Sequence, residues 1–152
     1  IAVTPIELIA AVGAIANRGP LMKPFIIAGT EPKAMRTVLT KAAADKTTAM
    51  MVSAVNKARV AHIDNFTVAG KTGTAQAVDF THGGYTKDVI NTYVGFAPAS
   101  KPRFIILVKL DKPAGAPLAG TTVVPAFREL ADFIINYYDI PPDNLKLQSK
   151  TN

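Results

Sequence analysis

Residues 68–77 read "VAGKTGTAQA". A single lysine, Lys71, stands between Gly70 and Thr72, and Gly73 and Thr74 follow. Such a run can be a phosphate-binding loop, a glycine-interrupted hairpin strand, or a strand that lines a catalytic cleft. A Walker-type loop needs Gly, four residues, then Gly-Lys-Thr/Ser, and it must open a helix whose N-terminus meets the phosphate. The first glycine would fall at position 65, which is Asn65, and the following "GTAQAV" reads as strand. Both requirements fail. In a strand, Thr72 and Thr74 share one face by their period of two, and Lys71 takes the other face or the edge. Gly73, without a Cβ, lets the backbone of a ligand lie close. Two hydroxyls on one face suit a carboxylate, and an ammonium beside them supplies positive potential or assists proton transfer. The strand's own N–H and C=O groups could hold an extended peptide by strand addition. A plain hairpin strand would use the same residues without chemistry.

The neighbouring elements follow from local signals. "TPIE" puts Thr4 at a helix N-cap, Pro5 at the first helical position and Glu7 where it closes a capping box. "NRGP" ends that helix, with Gly19 as the C-terminal cap. "PFIIAG" at 24–29 is expected to be a short strand, and residues 41–58 a helix with Lys57 and Arg59 at the end favoured by cations. Three strands are expected at 66–78, 90–97 and 103–110, with "DFTHGGYTKD" as a polar loop between the first two. "PASKP" is short enough to join antiparallel neighbours. The third strand is nearly all apolar, as for a strand covered on both faces. A last helix from about Val123 to Tyr138 carries Phe127, Leu130, Ala131, Ile134, Tyr137 and Tyr138 at helical spacing on one face. "IPPDN" ends it, and the tail "LKLQSKTN" is expected to fray. Strands grouped between helices indicate an α+β fold with an antiparallel sheet flanked by helices.

Composition sets bounds. The 152 residues allow one domain, and 49% hydrophobic with 18% charged residues is globular. The longest apolar run, "FIILVKL" at 104–110, is far below the roughly 20 residues that span a bilayer. The absence of Cys excludes disulfides, a catalytic thiol and thiolate metal sites. A net charge of +6 favours anionic partners, but no basic run focuses it, so nucleic acid is not expected. His62 and His82 have no partner at metal-ligand spacing, and Tyr93 and Phe96 read as core.

With its flanks, the stretch resembles the third motif, Lys-Thr/Ser-Gly-Thr, of penicillin-binding proteins. "IAVTPIELIAAVGAIANRGPLMKPFII" resembles the helix and loop that precede this motif in class B, monofunctional transpeptidases. "NTYVGFAPASKPRFIILVKLDKP" resembles the two strands after it, and "VVPAFRELADFII" the terminal helix. The resemblance covers about residues 1–140, leaving 141–152 as a tail. It is closest to the division and elongation enzymes and implies the penicillin-binding-protein/β-lactamase fold. It implies that Lys71 and Thr74 are catalytic: Lys71 would help the serine of the second motif, and the Thr74 backbone N–H would be half of an oxyanion hole. Thr72, Gly73 and Thr74 would bind the donor's terminal carboxylate or a β-lactam. No metal and no cofactor are implied. Implied partners are a peptidoglycan stem peptide, β-lactam antibiotics and a cell-wall glycosyltransferase. The implied location is the outer face of the bacterial membrane, with the parent anchored by an N-terminal helix.

The family also needs Ser-x-x-Lys and Ser-x-Asn. Of the three serines, Ser53 leads "AVN", Ser100 leads "KPR" and Ser149 lies in the tail, so neither motif is present. "TEPK" at 30–33 only mimics the first. The expectation is therefore the substrate-binding half of a transpeptidase domain, lacking its nucleophile segment and inactive alone. The family's sheet has five strands, of which three are expected here, so open edges and self-association are expected too. A β-lactamase or β-lactam sensor of the same superfamily, and a non-catalytic peptide-binding module, are the alternatives.

Overall fold

The computed structural model describes residues 3–115 and 118–145. The first helix, α1 (Pro5–Ala16), starts as its sequence dictates. The Thr4 hydroxyl accepts from the Glu7 N–H at 3.4 Å, and the Glu7 carboxylate accepts from the Thr4 N–H at 2.8 Å. The first of these bonds is long and the return bond is short, so the box closes mainly through Glu7. Its end differs from expectation by one residue. Arg18, at φ 60, takes the left-handed cap position expected of Gly19, which follows at φ 130. Arg18 N–H donates to Ile15 and Gly19 N–H to Ala14, which satisfies the last carbonyls in a Schellman pattern.

The expected strand at 24–29 is not formed. Two short strands flank it instead: β1 (Pro20–Met22) and β2 (Ala34–Thr37), paired antiparallel. Pro24 has no N–H to give a ladder. Beyond it the chain leaves the pair, turns at Gly29, and returns where Lys23 N–H meets the Lys33 carbonyl at 2.9 Å. Phe25, Ile26 and Ile27 are exposed in that loop.

Helix α2 (Lys41–Ala58) has the expected bounds, with Thr40 capping Ala43 N–H at 3.2 Å and Arg59 in the left-handed cap position. The three main strands are β3 (Ala69–Val78), β4 (Tyr85–Ala97) and β5 (Phe104–Asp111), in the order β3-β4-β5 and antiparallel throughout. Strand β4 begins five residues earlier than expected, because "YTKD" continues the strand and only 79–84 form the turn. Asp79 holds that turn: its carboxylate accepts from the backbone N–H of Thr81 and His82. The His82 and then the Thr81 bond keep the carboxyl below its ordinary value.

Alternation on β4 divides the core into two clusters. Tyr93 and Ala97 face α3 (Val123–Tyr137), whose Phe127 ring meets Tyr93 edge-on at 4.6 Å. Phe96, with Ala69 and Met51, faces Val12 and Ile15 of α1. Helix α2 packs on β3 and contributes to both, through Met51 and Val55. Strand β5 is touched on both faces but only half-buried on each, since Phe104, Ile106 and Val108 meet the α3 side and Ile105 the other. The inward stripe of α3 is Val123, Val124, Phe127, Ala131 and Ile135. Leu130, Tyr137 and Tyr138, expected inside, lie outside. The 127/131/135 row carries small Ala131 at its centre, which lets the helix approach the sheet. The two tyrosines instead pack edge-on against each other, and Tyr137 stacks on Phe133.

After α3 the chain returns to the sheet. The Asp143 carboxylate accepts from the Thr67 N–H at 2.7 Å, from the Thr67 hydroxyl, and from the Ser100 hydroxyl at 2.6 Å. Asn144 N–H donates to Asn65 at 3.1 Å. The expected fraying of "LKLQSKTN" falls, beyond Leu145, outside the described residues. Burial alone would raise the Asp143 carboxyl, but the bonds from Ser100 and Thr67 outweigh it and hold the group below its usual value. A depressed carboxyl stabilises the fold above its unfolded value of about 3.9, and that stability is lost as pH falls through the folded value. Asp143→Asn is therefore expected to lower the melting temperature at pH 6 and to narrow its gap to the parent chain below pH 3.5. Melting curves across this range check it.

Candidate active site

Strand β3 lies at one edge of the three-stranded sheet and, among the described residues, has a neighbour only on its β4 side. Its register on β4 places Thr72 opposite Tyr93 and Thr74 opposite Asn91, so the two threonines share the face that looks toward α3. Lys71 and Gly73 pair with Val94 and Thr92 on the opposite face. The Lys71 ammonium folds back along the strand and donates to the Thr72 carbonyl at 2.7 Å. The structure thus brings Lys71, Thr72, Gly73 and Thr74 together at one strand edge, with Lys71, Thr72 and Thr74 exposed and Gly73 half-buried.

Two concavities flank this edge. One, of about 160 Å³, is lined by Gly70, Lys71, Thr72 and Tyr93 together with Ala54 and Val55 of α2. The other, of about 620 Å³, takes in Gly73, Thr74 and Gln76 along with Leu8 and Lys109. A larger one of about 710 Å³ lies between residues 60–66 and α3 and includes no residue of the motif. Volume alone does not mark the site. Among the described residues, ammonium, paired hydroxyls and an open backbone edge converge only at β3.

The backing of the strand is tight where it meets β4. A Cβ on Gly70 would lie 1.9 Å from the Tyr93 hydroxyl oxygen, so only glycine fits above that ring. Burial pushes the Tyr93 phenol up, which keeps it neutral. At Gly73 the only close atom is the Thr92 hydroxyl, at 2.4 Å, and the next is at 3.8 Å. A rotamer change of Thr92 relieves this contact. Gly73→Ala is expected to cost about 1 kcal/mol, the low end of the overpacking range. Urea denaturation measures it.

Residues behind the motif were not singled out by sequence. The Thr74 hydroxyl oxygen accepts from the Ala119 N–H at 3.4 Å, and the Asn91 amide donates to the Thr122 hydroxyl at 3.1 Å. Both Ala119 and Thr122 belong to the 3-10 turn (Ala119–Thr121) and its end, just before α3. The histidines stand apart from the motif: His82 contacts Asp79 and His62 contacts Asp64, each at 3.2 Å.

The chain is 40% identical over 87 residues to the peptidoglycan D,D-transpeptidase FtsI of Buchnera aphidicola, covering 57% of this chain and 15% of that protein. It superposes on the transpeptidase domain of Burkholderia pseudomallei penicillin-binding protein 3 with a TM-score of 0.78 at 26% identity, covering 93% of this chain and 44% of the other. On Mycobacterium tuberculosis penicillin-binding protein 3, in a complex with aztreonam, the TM-score is 0.77 at 27% identity, covering 93% and 36%. The chain spans about a quarter or less of the length of the curated relatives, 15% in one and 26% in another, and less than half of these solved chains. Residues 1–132, including the β3 motif and most of α3, match the family model of the penicillin-binding protein transpeptidase domain, and the chain belongs to that family.

Proposed function

We propose that this chain is the substrate-binding half of a peptidoglycan D,D-transpeptidase, a serine acyl-transfer enzyme that cross-links stem peptides. Residues 1–140 would be the portion of the domain that carries its third motif, and 141–152 a tail. The observation that carries the reading is the open β3 edge, where Lys71, Thr72 and Thr74 stand exposed in a strand that can take an extended peptide alongside. Thr72 and Thr74 hold the terminal carboxylate of the acyl donor, and the Thr74 N–H supplies one of two oxyanion donors. Such a donor contributes about 3 kcal/mol to the transition state. Lys71 supplies positive potential and assists a serine contributed from outside the chain. A β-lactam, which presents a similar carboxylate, occupies the same edge. The aztreonam complex of the mycobacterial relative supports β-lactam binding. The parent acts outside the cytoplasmic membrane. No helix among the described residues is long and apolar enough to cross a membrane. A membrane anchor and a glycosyltransferase partner are part of the reading for the parent alone.

The test is an NMR titration of the chain with a peptide ending in D-alanyl-D-alanine. Amide shifts confined to residues 71–75, and lost when the peptide's carboxylate is amidated, are expected. Equal shifts with the amidated peptide would turn the reading into a general peptide-binding edge.

Strands β3 and β5 each have one unpaired edge among the described residues. Such edges support self-association of the chain. Light scattering after size exclusion is expected to give a mass above that of the 16.1 kDa monomer. A monomer at all concentrations would contradict this.

A further inference from the structure

We propose that Asn91 and Thr122 are positioning residues that hold the Thr74 hydroxyl in one rotamer, with its proton available to a ligand at the open edge of β3. Asn91 is fully buried and sits directly across from Thr74 in the β3–β4 register. Its side-chain amide donates to the Thr122 hydroxyl at 3.1 Å. That hydroxyl, having accepted, donates its own proton to the Leu118 carbonyl at 3.1 Å. The Leu118 carbonyl and the Ala119 N–H are two ends of one planar peptide group, so fixing the first aims the second in the opposite direction. The Ala119 N–H points at the Thr74 hydroxyl oxygen, 3.4 Å away. The path thus runs from a buried amide, through one hydroxyl and one peptide plane, to a residue of the motif. Thr121 also holds the Leu118 carbonyl, through its N–H at 3.2 Å and its hydroxyl at 3.0 Å, so the peptide is gripped from the turn as well as from the sheet.

The consequence is chemical. A threonine hydroxyl has one proton to donate and two lone pairs. With one lone pair engaged by Ala119, the oxygen is anchored in a single rotamer and the proton is left to serve a ligand. The proton is then available to groups that accept hydrogen bonds, such as a carboxylate, while the second lone pair remains open to a donor. The structural half of this proposal stands on the hydrogen bonds alone. Its catalytic half rests on the transpeptidase reading.

The experiment measures three-bond couplings to the Thr74 methyl carbon, which report its χ1 rotamer, in the chain and in variants. A single staggered rotamer is expected in the parent chain and in Thr122→Ser, which keeps the hydroxyl. Averaging over two or more wells is expected in Thr122→Val, which keeps the shape and loses the hydroxyl, and in Asn91→Ala. Should Asn91→Ala fail to fold, the half-buried Thr122→Val decides. One unchanged rotamer in folded Thr122→Val, or equal averaging in Thr122→Ser, overturns the proposal. In a longer polypeptide that carries the serine nucleophile, Thr122→Val is expected to slow acylation by penicillin while Thr122→Ser does not. If the unsubstituted longer polypeptide is not acylated at all, the transpeptidase reading fails, and the couplings still decide the positioning.

Discussion

Phe127→Ala is expected to remove about 3–5 kcal/mol of stability, the range for a fully buried aromatic ring cut back to a methyl group. Phe127 is 0% exposed, sits at the middle of the inward stripe of α3 and meets the Tyr93 ring edge-on. Domains of ordinary stability hold only about 5–15 kcal/mol, so the variant stands close to unfolding. The ring is also what forbids a side chain at Gly95. A Cβ there would lie 2.7 Å from the Phe127 ring tip and 2.8 Å from the Ala69 carbonyl oxygen. The carbonyl belongs to the neighbouring strand, where Ala69 pairs with Phe96, and cannot retreat without breaking that register. Gly95→Ala is thus expected to cost about 3 kcal/mol, the upper part of the usual overpacking range. Phe127→Leu in the Gly95→Ala background should recover only part of the loss, because the shorter side chain frees one contact and leaves the carbonyl. Guanidinium denaturation of the four chains measures each term. Full recovery in the double variant would show that the strand contact carries no cost.

Lys71→Ala is expected to have the opposite profile, with a large loss of chemistry and little loss of stability. Lys71 is exposed, and among the described residues its ammonium donates only to its neighbour Thr72. Surface substitutions of that kind change stability by no more than about 0.5 kcal/mol. In the proposed reaction the same ammonium assists proton transfer and sets the local potential, an effect typically worth about 10²–10⁴ in rate. In a longer polypeptide containing the serine nucleophile, the acylation rate by penicillin should fall by that factor while the melting temperature hardly moves. A fall in both together would mean that Lys71 supports the fold and not the chemistry.

What the sequence revealed, and what it concealed, follows the range of each interaction. The capping box at Thr4 and the bounds of α2 are set by residues three or four apart, and both were readable. The strand nature of "VAGKTGTAQA" was readable for a similar reason, from alternation and from the failure of the loop pattern. β1 and β2 were not, since they are three and four residues long and β2 is exposed along its whole length. The apolar "PFIIAG" looked more like a strand than either, yet its apolar side chains point into open space. On α3, two adjacent stripes both repeat at helical spacing. Only the sheet decides between them, through the fit of Phe127 over Gly95. The motif residues Lys71, Thr72, Gly73 and Thr74 could be named from sequence, whereas the support behind them could not. Asn91 becomes the partner of Thr74 only once the β3–β4 register is known, and Thr122 reaches that pair from the far end of the chain.

This chain is proposed to form one wall of a serine acyl-transfer site whose nucleophile lies outside it. A fluorescent penicillin, with covalent labelling read on a denaturing gel, tests it most directly. The chain alone is expected to remain unlabelled, since its three serines fit neither Ser-x-x-Lys nor Ser-x-Asn. A longer polypeptide with the upstream segment is expected to label at a serine of that segment, and to lose the label with Lys71→Ala. Covalent labelling of the chain alone, or a longer polypeptide that labels equally well with Lys71→Ala, would contradict the account.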